Sequence, residues 1–294
     1  MPKPENYAEI KGRVERLCAV AGLELLSFPI KEIGLEILKI RLPAAGEGAR
    51  PIYLGAGVHG DEPAAVTAVL QFLEERRWEK YPELQFMIYP CINPAGYDLD
   101  TRENADGDDI NRSFHGEGTP ESRTMREALK GDRYDFWIDA HADYAEDGYY
   151  MFAPGDAGWA AQVVKAVSKV GPVTTEPEID EMRIVDGIVQ FDEDISDRFE
   201  ERKDWPLAFY LMKHFTEQGC TPETPGLQPL DLRVEMQLAV YDAALSQLAS
   251  GEIPSAPTPT TTAASPEPSR SPGRPRDWAW TWSCTPTTRP TATS

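Results

Sequence analysis

Residues 55–66 read GAGVHGDEPAAV and set His59 three residues ahead of Glu62, in a chain with only four histidines. An imidazole and a carboxylate so close together can share a metal ion, but two ligands do not complete a site. Neither short zinc-helix motif is present: Pro63 stands where HxxEH needs its second His, and the segment does not fit HExxH. HxxE is therefore a loop motif here. Pro63 suits the first position of a helix and holds the preceding Glu62 extended. Taken alone, the pair also fits an ordinary loop His and a helix-start Glu.

Three further stretches carry chemistry-bearing residues. NPAGYDLDTRENADGDDINRSF (93–114) holds Arg102, Asn111 and Arg112 among turn formers and acids. A calcium loop with Gly107 at its sixth position would begin at Arg102 and end at Ser113, and neither is the carboxylate required there. Two guanidiniums beside an Asn can instead hold a carboxylate and polarise a carbonyl, although a solvated charged loop explains the same residues. In WIDAHAD (137–143), His141 ends an apolar run, with Asp139 and Asp143 placed to orient an imidazole. In CTPETPGLQPLDLRV (220–234), Glu223 lies between prolines in an extended segment, where a lone Glu usually faces solvent.

Alternating strands and helices must position these residues. The spacing predicts a helix over 4–22 with Ile10, Val14, Leu17 and Cys18 on one side, and strands over 35–43, 51–58 and 83–93. A helix opens at Pro63, and SRTMREALKG is helical ahead of a strand in 132–143. YYMFAPG reads as a strand, and 157–171, 205–219 and 230–250 as helices; 172–203 is acidic and has no clear period. This order predicts an α/β fold in three layers, α/β/α, around a mixed, mostly parallel sheet. His59 and His141 both fall at strand C-terminal ends, the edge where open α/β sheets bind ligands.

From residue 253 to 294 the chain turns to Pro, Thr, Ser and Ala. That composition predicts a disordered tail behind a domain spanning 1–252. Within the tail, WAWTW (278–282) could serve as a docking motif. The net charge of −20 argues against nucleic acid and anionic membranes and permits cationic substrates. No run reaches the ~20 apolar residues of a membrane span, and the N-terminus lacks a signal-peptide core, so a cytoplasmic protein is expected. Cys18, Cys91, Cys220 and Cys284 form no CxxC pair, so a disulfide framework or thiolate zinc site is not expected.

HGDE (59–62), NPAGY with R-x-N and D-x-NR-x-F (93–114), DAH (139–141) and ETP (223–225) occur together and in this order. In this combination the sequence resembles the zinc carboxypeptidase (carboxypeptidase A-like) family, and within it the succinylglutamate desuccinylase and aspartoacylase-like branch. The resemblance implies one zinc ion on His59, Glu62 and His141. It implies that Arg102 polarises the scissile carbonyl, that Asn111 and Arg112 hold a substrate carboxylate, and that Glu223 is the general base. The substrate would be a small peptide cut at its C-terminal bond or an N-acyl amino acid. The family's mobile substrate Tyr has no evident counterpart; Tyr144, Tyr149 and Tyr150 are nearby. Glu235 is a weaker rival for the base, on a helix face. A non-catalytic, metal-stabilised binding protein on the same fold is the alternative. The acidic segment 172–203 would wall the site and could attract an amine.

Overall fold

The computed structural model of the protein describes residues 5–43, 46, 48–154, 158–191 and 202–255. Asn6 and Glu9 form a reciprocal capping box that starts helix α1 (Tyr7–Ala21), and Gly22 ends it in a left-handed turn. Strands β1 (Glu24–Ile30) and β2 (Leu35–Leu42) form an antiparallel hairpin, and β3 (Arg50–Ala56) runs into α2 (Pro63–Glu74). Then come β4 (Leu84–Tyr89), the short α3 (Pro94–Leu99), α4 (Pro120–Leu129), β5 (Phe136–Asp143), β6 (Tyr150–Phe152) and α5 (Ala160–Val167). The acidic segment contributes three short strands, β7 (Glu178–Ile179), β8 (Met182–Val185) and β9 (Ile188–Val189). Helix α6 (Leu207–His214), strand β10 (Gly219–Pro225) and helix α7 (Leu230–Ser250) follow.

The strands form one mixed sheet in the order β1-β2-β4-β3-β5-β10-β6-β9-β8-β7. Its core, β4-β3-β5-β10, is parallel, so those four strands end at one edge. Side chains alternate across the sheet. Ile52 and Leu54 of β3, Phe86 and Ile88 of β4, and Phe136 and Ile138 of β5 join the apolar cluster that includes residues of α1, α2, α5 and α7. Tyr53, Met87, Tyr89 and Trp137 join the opposite cluster, with Met125 of α4 and Leu207 and Leu211 of α6. The expected three-layer α/β/α architecture is the observed one.

Two local expectations change. The helix expected over 205–219 stops at His214, because Gly219 already pairs with Trp137 as the first residue of β10. Glu223, expected in an extended connection, lies inside that central strand. At the end of the described chain, Arg50 donates to the carbonyls of Leu248 and Ile253, and Ile253 is buried. Of the tail, residues 256–294 with the WAWTW segment lie outside the described residues. No helix among the described residues is long and apolar enough to cross a membrane.

Candidate metal centre

The loop that carries His59 is held by close backbone packing. Gly57 takes a left-handed conformation, φ +67°, that favours glycine. A Cβ on Gly60 would fall 1.9 Å from the Gly96 carbonyl carbon of α3, so only glycine lets the two backbones touch. The amides of Ile92 and Asn93 bond back to the carbonyls of Ala56 and Gly57, and the Tyr144 hydroxyl donates to the Asp61 carbonyl. The glycines flanking His59 in sequence thus serve close chain passage at a strand end.

Within this frame the side chains of His59, Glu62 and His141 converge. His59 Nδ1 lies 2.5 Å from Glu62 Oε1, His141 Nδ1 lies 3.1 Å from Glu62 Oε2, and the two Nδ1 atoms are 3.2 Å apart. All three residues are buried, and they are the one His/Cys/Asp/Glu group of metal-binding geometry among the described residues. The outward ring nitrogens face carboxylates: His141 Nε2 is 3.3 Å from Asp139 Oδ2, and His59 Nε2 is 3.4 Å from Asp109 Oδ1. Ala142 N–H donates to Glu62 Oε2 at 3.0 Å, and Gln237 grips the His141 carbonyl at 2.8 Å. Burial opposes the Glu62 charge, but His59 and His141 outweigh it and hold the carboxyl well below its ordinary range.

Arg102 stands beside this group. Its Nη1 is 3.2 Å from His59 Nδ1, and its Nε and Nη2 both reach Asp109 Oδ2 at 3.0 Å. Asp109 therefore steadies a ligand candidate and the guanidinium together; burial pushes its carboxyl up, but His59, Arg102 and Arg112 hold it well below the usual range. Asn93 caps α3 through Gly96 N–H and donates from Nδ2 to the carbonyl of Glu103, which fixes the start of the Arg102 loop. Asn111 accepts from Leu207 N–H at 2.8 Å, and Arg112 donates to the Asn111 carbonyl at 2.8 Å.

Glu223 faces His141 in register across β10 and β5, and Tyr150 across β10 and β6. One cleft at this edge is lined by His59, Glu62, His141, Arg102, Asn111, Arg112 and Glu223, so the residues given ligand, base and substrate roles by the resemblance meet there. Glu235 is exposed on α7 and does not line the cleft. Burial first, then the charges of Glu62 and Asp143, push the Glu223 carboxyl well above its ordinary value, with His141 and Arg102 opposing.

The cleft also holds residues whose place there the sequence did not give, among them Thr221 and Asp180. Tyr150 lines it and donates to Asp143 Oδ2 at 2.8 Å, while the Tyr144 hydroxyl is engaged by Asp61. Thr221, two residues before Glu223, shares its strand face, a signal available from strand alternation once β10 is known. Asp180, at the tip of the β7–β8 hairpin, brings the acidic segment to the cleft wall. Asp139 approaches an imidazole as expected; Asp143 instead accepts from Ala145 N–H and Tyr150.

The donor set fits a divalent cation. Tetrahedral bonds of about 2.0–2.1 Å separate neighbouring ligand atoms by about 3.3 Å, close to the 3.1 and 3.2 Å separations of His141 Nδ1 from Glu62 and His59. Two imidazole nitrogens and a carboxylate presenting lone pairs to one point, with outer hydrogen bonds on His141 and Glu62 and Asp109 3.4 Å from His59 Nε2, are a borderline-soft ligand set suited to zinc.

The site is a His-Glu-His donor set at the edge where the parallel strands end, on a fold shared with solved metallocarboxypeptidases. Residues 49–162 match the model of the succinylglutamate desuccinylase/aspartoacylase catalytic domain. The fold recurs in a candidate metallopeptidase from Shewanella denitrificans, 19% identical, with a TM-score of 0.69 over 82% of this chain and 89% of that one. It recurs in a metallo-carboxypeptidase from Burkholderia cenocepacia, 15% identical, TM-score 0.63, over 81% and 68%. A third instance is a metallo-carboxypeptidase from Pseudomonas aeruginosa in complex with (2-guanidinoethylmercapto)succinic acid, 17% identical, TM-score 0.60, over 81% and 68%. No curated protein matches the sequence.

Proposed function

We propose that the protein is a zinc-dependent hydrolase of an amide bond, cutting a C-terminal peptide bond or an N-acyl amino acid. One observation carries this: a buried His-Glu-His donor set opens on the same cleft as a Glu whose carboxyl is driven toward proton binding. His59, Glu62 and His141 would hold the ion, which when bound supplies Lewis acidity and lowers the pKa of a water to about 7.

The chain's own residues do the rest. Glu223 accepts a proton from the attacking water and delivers it to the leaving nitrogen. Arg102, fixed by Asp109, stabilises charge developing on the carbonyl oxygen; a donor of this kind is worth about 3–4 kcal/mol. Asn111 and Arg112, which line the same cleft, bind the substrate's carboxylate. Asp143 and Asp180 add acidic groups to the same cleft, which supports a substrate that carries an amine or guanidinium. The succinic-acid ligand of the Pseudomonas aeruginosa protein combines such a group with carboxylates, in keeping with this charge pattern.

The test is metal analysis of purified protein with an amide-hydrolysis screen over peptides and N-acyl amino acids. Hydrolysis that requires zinc and fails in Glu223→Gln supports the reading; a zinc-loaded protein inert toward both substrate classes overturns it.

A further inference from the structure

We propose that Gln237 of α7 is a positioning residue for the metal centre, because it holds the His141–Ala142 peptide group that links the ligands His141 and Glu62. The inference rests on the His-Glu-His metal reading and not on the reaction.

That peptide is engaged at both ends. Its N–H, on Ala142, donates to Glu62 Oε2 at 3.0 Å. The pairing of β3 with β5 ends where Ala56 meets Ala140, so at Ala142 the Glu62 carboxylate stands in for a strand partner. Its C=O, on His141, accepts from Gln237 Nε2 at 2.8 Å and from Thr224 Oγ1 at 3.3 Å. A peptide group is planar and stiff, so a donor that fixes the carbonyl also fixes the direction of the N–H. Donors on the carbonyl polarise the group and strengthen its N–H as a donor in turn. Gln237 therefore reaches two ligands through one rigid unit. It holds the main chain of His141 directly and the Glu62 carboxylate through Ala142 N–H.

The chemistry of Gln237 itself separates this role from simple packing. The side chain is fully buried, and only its donor end is used. Nε2 must face the His141 carbonyl, since Oε1 there would set two acceptors together. Oε1 is left buried without a partner. A buried acceptor with no donor is destabilising, and an apolar side chain of similar size would avoid that cost. Stability alone does not call for Gln here; the bond to His141 does. One turn earlier on the same helix, Arg233 lies 5.9 Å from the centre of the Tyr144 ring, and the Tyr144 hydroxyl donates to the Asp61 carbonyl beside Glu62. Helix α7 thus meets the metal-binding segments at two points.

The same helix provides a matched control. Gln247 is also buried with an unpartnered Oε1, and its Nε2 donates to the carbonyls of Ala243 and Trp159, neither of which belongs to the metal centre.

The test compares the full chain as wild type, Gln237→Met, Gln247→Met and Thr224→Val. Zinc dissociation constants come from competition with a chromophoric chelator, and stability from urea unfolding of the metal-free proteins. Gln237→Met fills the space and removes both the donor and the unpartnered oxygen. Its zinc binding should weaken about 10–100-fold, the range for outer partners of metal ligands. Its metal-free urea midpoint should stay level or rise, an outcome that a merely structural Gln237 would not combine with lost affinity. Gln247→Met should bind zinc as wild type does. Thr224→Val removes the longer bond to the same carbonyl and should weaken zinc binding about 2–10-fold. If Gln237→Met fails to fold, Thr224→Val decides alone. Zinc affinity unchanged in the deciding variant overturns the proposal, and so does an equal loss in Gln247→Met, which would trace the effect to a loosened helix. A wild-type chain that binds no zinc overturns the metal reading and this inference with it. Weakened zinc binding in Gln237→Met but not in Gln247→Met, in a protein that hydrolyses no amide, upholds the positioning role while refuting the proposed reaction.

Discussion

Glu223→Gln should lower turnover and raise stability at once, an uncommon pairing that follows from where the carboxyl sits. Glu223 is 8% exposed, and its carboxyl is pushed well above its ordinary value by burial and by Glu62 and Asp143. A carboxyl whose folded pKa is raised binds more protons in the folded state than in the unfolded one. Stability therefore falls as pH rises from the unfolded value, about 4.3, toward the folded one, by about 1.4 kcal/mol for each pH unit between the two. Gln keeps the shape and carries no such penalty. In chelator-treated protein, the variant should match wild type near pH 4 and exceed it increasingly at higher pH. At pH 8 the variant should unfold at a higher urea midpoint and a higher melting temperature than wild type, with the gap closing as pH falls toward 4. Urea unfolding of both proteins from pH 4 to 9 measures this. Turnover of the zinc-loaded variant should fall about 10²–10⁴-fold with zinc content unchanged. If Glu223→Gln is less stable than wild type at every pH with the same slope, Glu223 is not a strained buried acid, and the case for it as the base loses its physical ground.

Purified protein should carry about one zinc ion per chain, and the His59→Ala, His141→Ala double variant should carry none; stoichiometric zinc in that variant, by elemental analysis, would contradict the ligand set. Free zinc at about 100 times its dissociation constant should stabilise wild type by about 2.7 kcal/mol in thermal unfolding and leave the double variant unmoved. Asp180→Asn should cut kcat/KM for a substrate with a Lys side chain about 10-fold relative to its Leu counterpart, with metal content intact; an unchanged ratio would remove Asp180 from substrate selection. Away from the cleft, Lys39 is buried with Asp132 and donates to the Ala128 carbonyl, so Lys39→Met should cost about 3–5 kcal/mol in denaturant unfolding. A loss under about 1 kcal/mol would mean that the hydroxyls of Tyr134 and Tyr89 alone satisfy Asp132.

The fold was legible where one physical signal dominated. Apolar runs marked β3, β4 and β5, and Pro63 marked the start of α2, so the positions of His59, Glu62 and His141 at strand ends followed directly. The parts that did not follow involve competing signals. β10 carries Pro222 and Pro225, and proline in a central strand removes ladder donors, which argued against a strand there. The acidic segment has strands of only two to four residues, too short to set a period, yet it delivers Asp180 to the cleft. Asp109 and Asn93 looked like members of a turn-rich loop. Their tasks, holding Arg102 with His59 and anchoring the Arg102 loop, depend on contacts between segments that local sequence does not display.

Central strand β10 has a further consequence, for which changes of length the chain can tolerate. Side chains alternate along a strand, so displacing β10 by one residue turns Glu223 from the cleft to the face packed against α2 and α7, and brings Thr224 round in its place. A single-codon insertion or deletion within Gly219–Pro225 would thus remove the acid from the cleft while His59, Glu62 and His141, all on earlier segments, stayed where they are. The connection from Phe215 to Gln218 lies outside any strand or helix, so a change of length there leaves the alternation of β10 itself unaltered. Descendants of this gene with a length difference inside β10 would keep the His-Glu-His donor set without the acid beside it, and those with the difference just ahead of β10 would keep both.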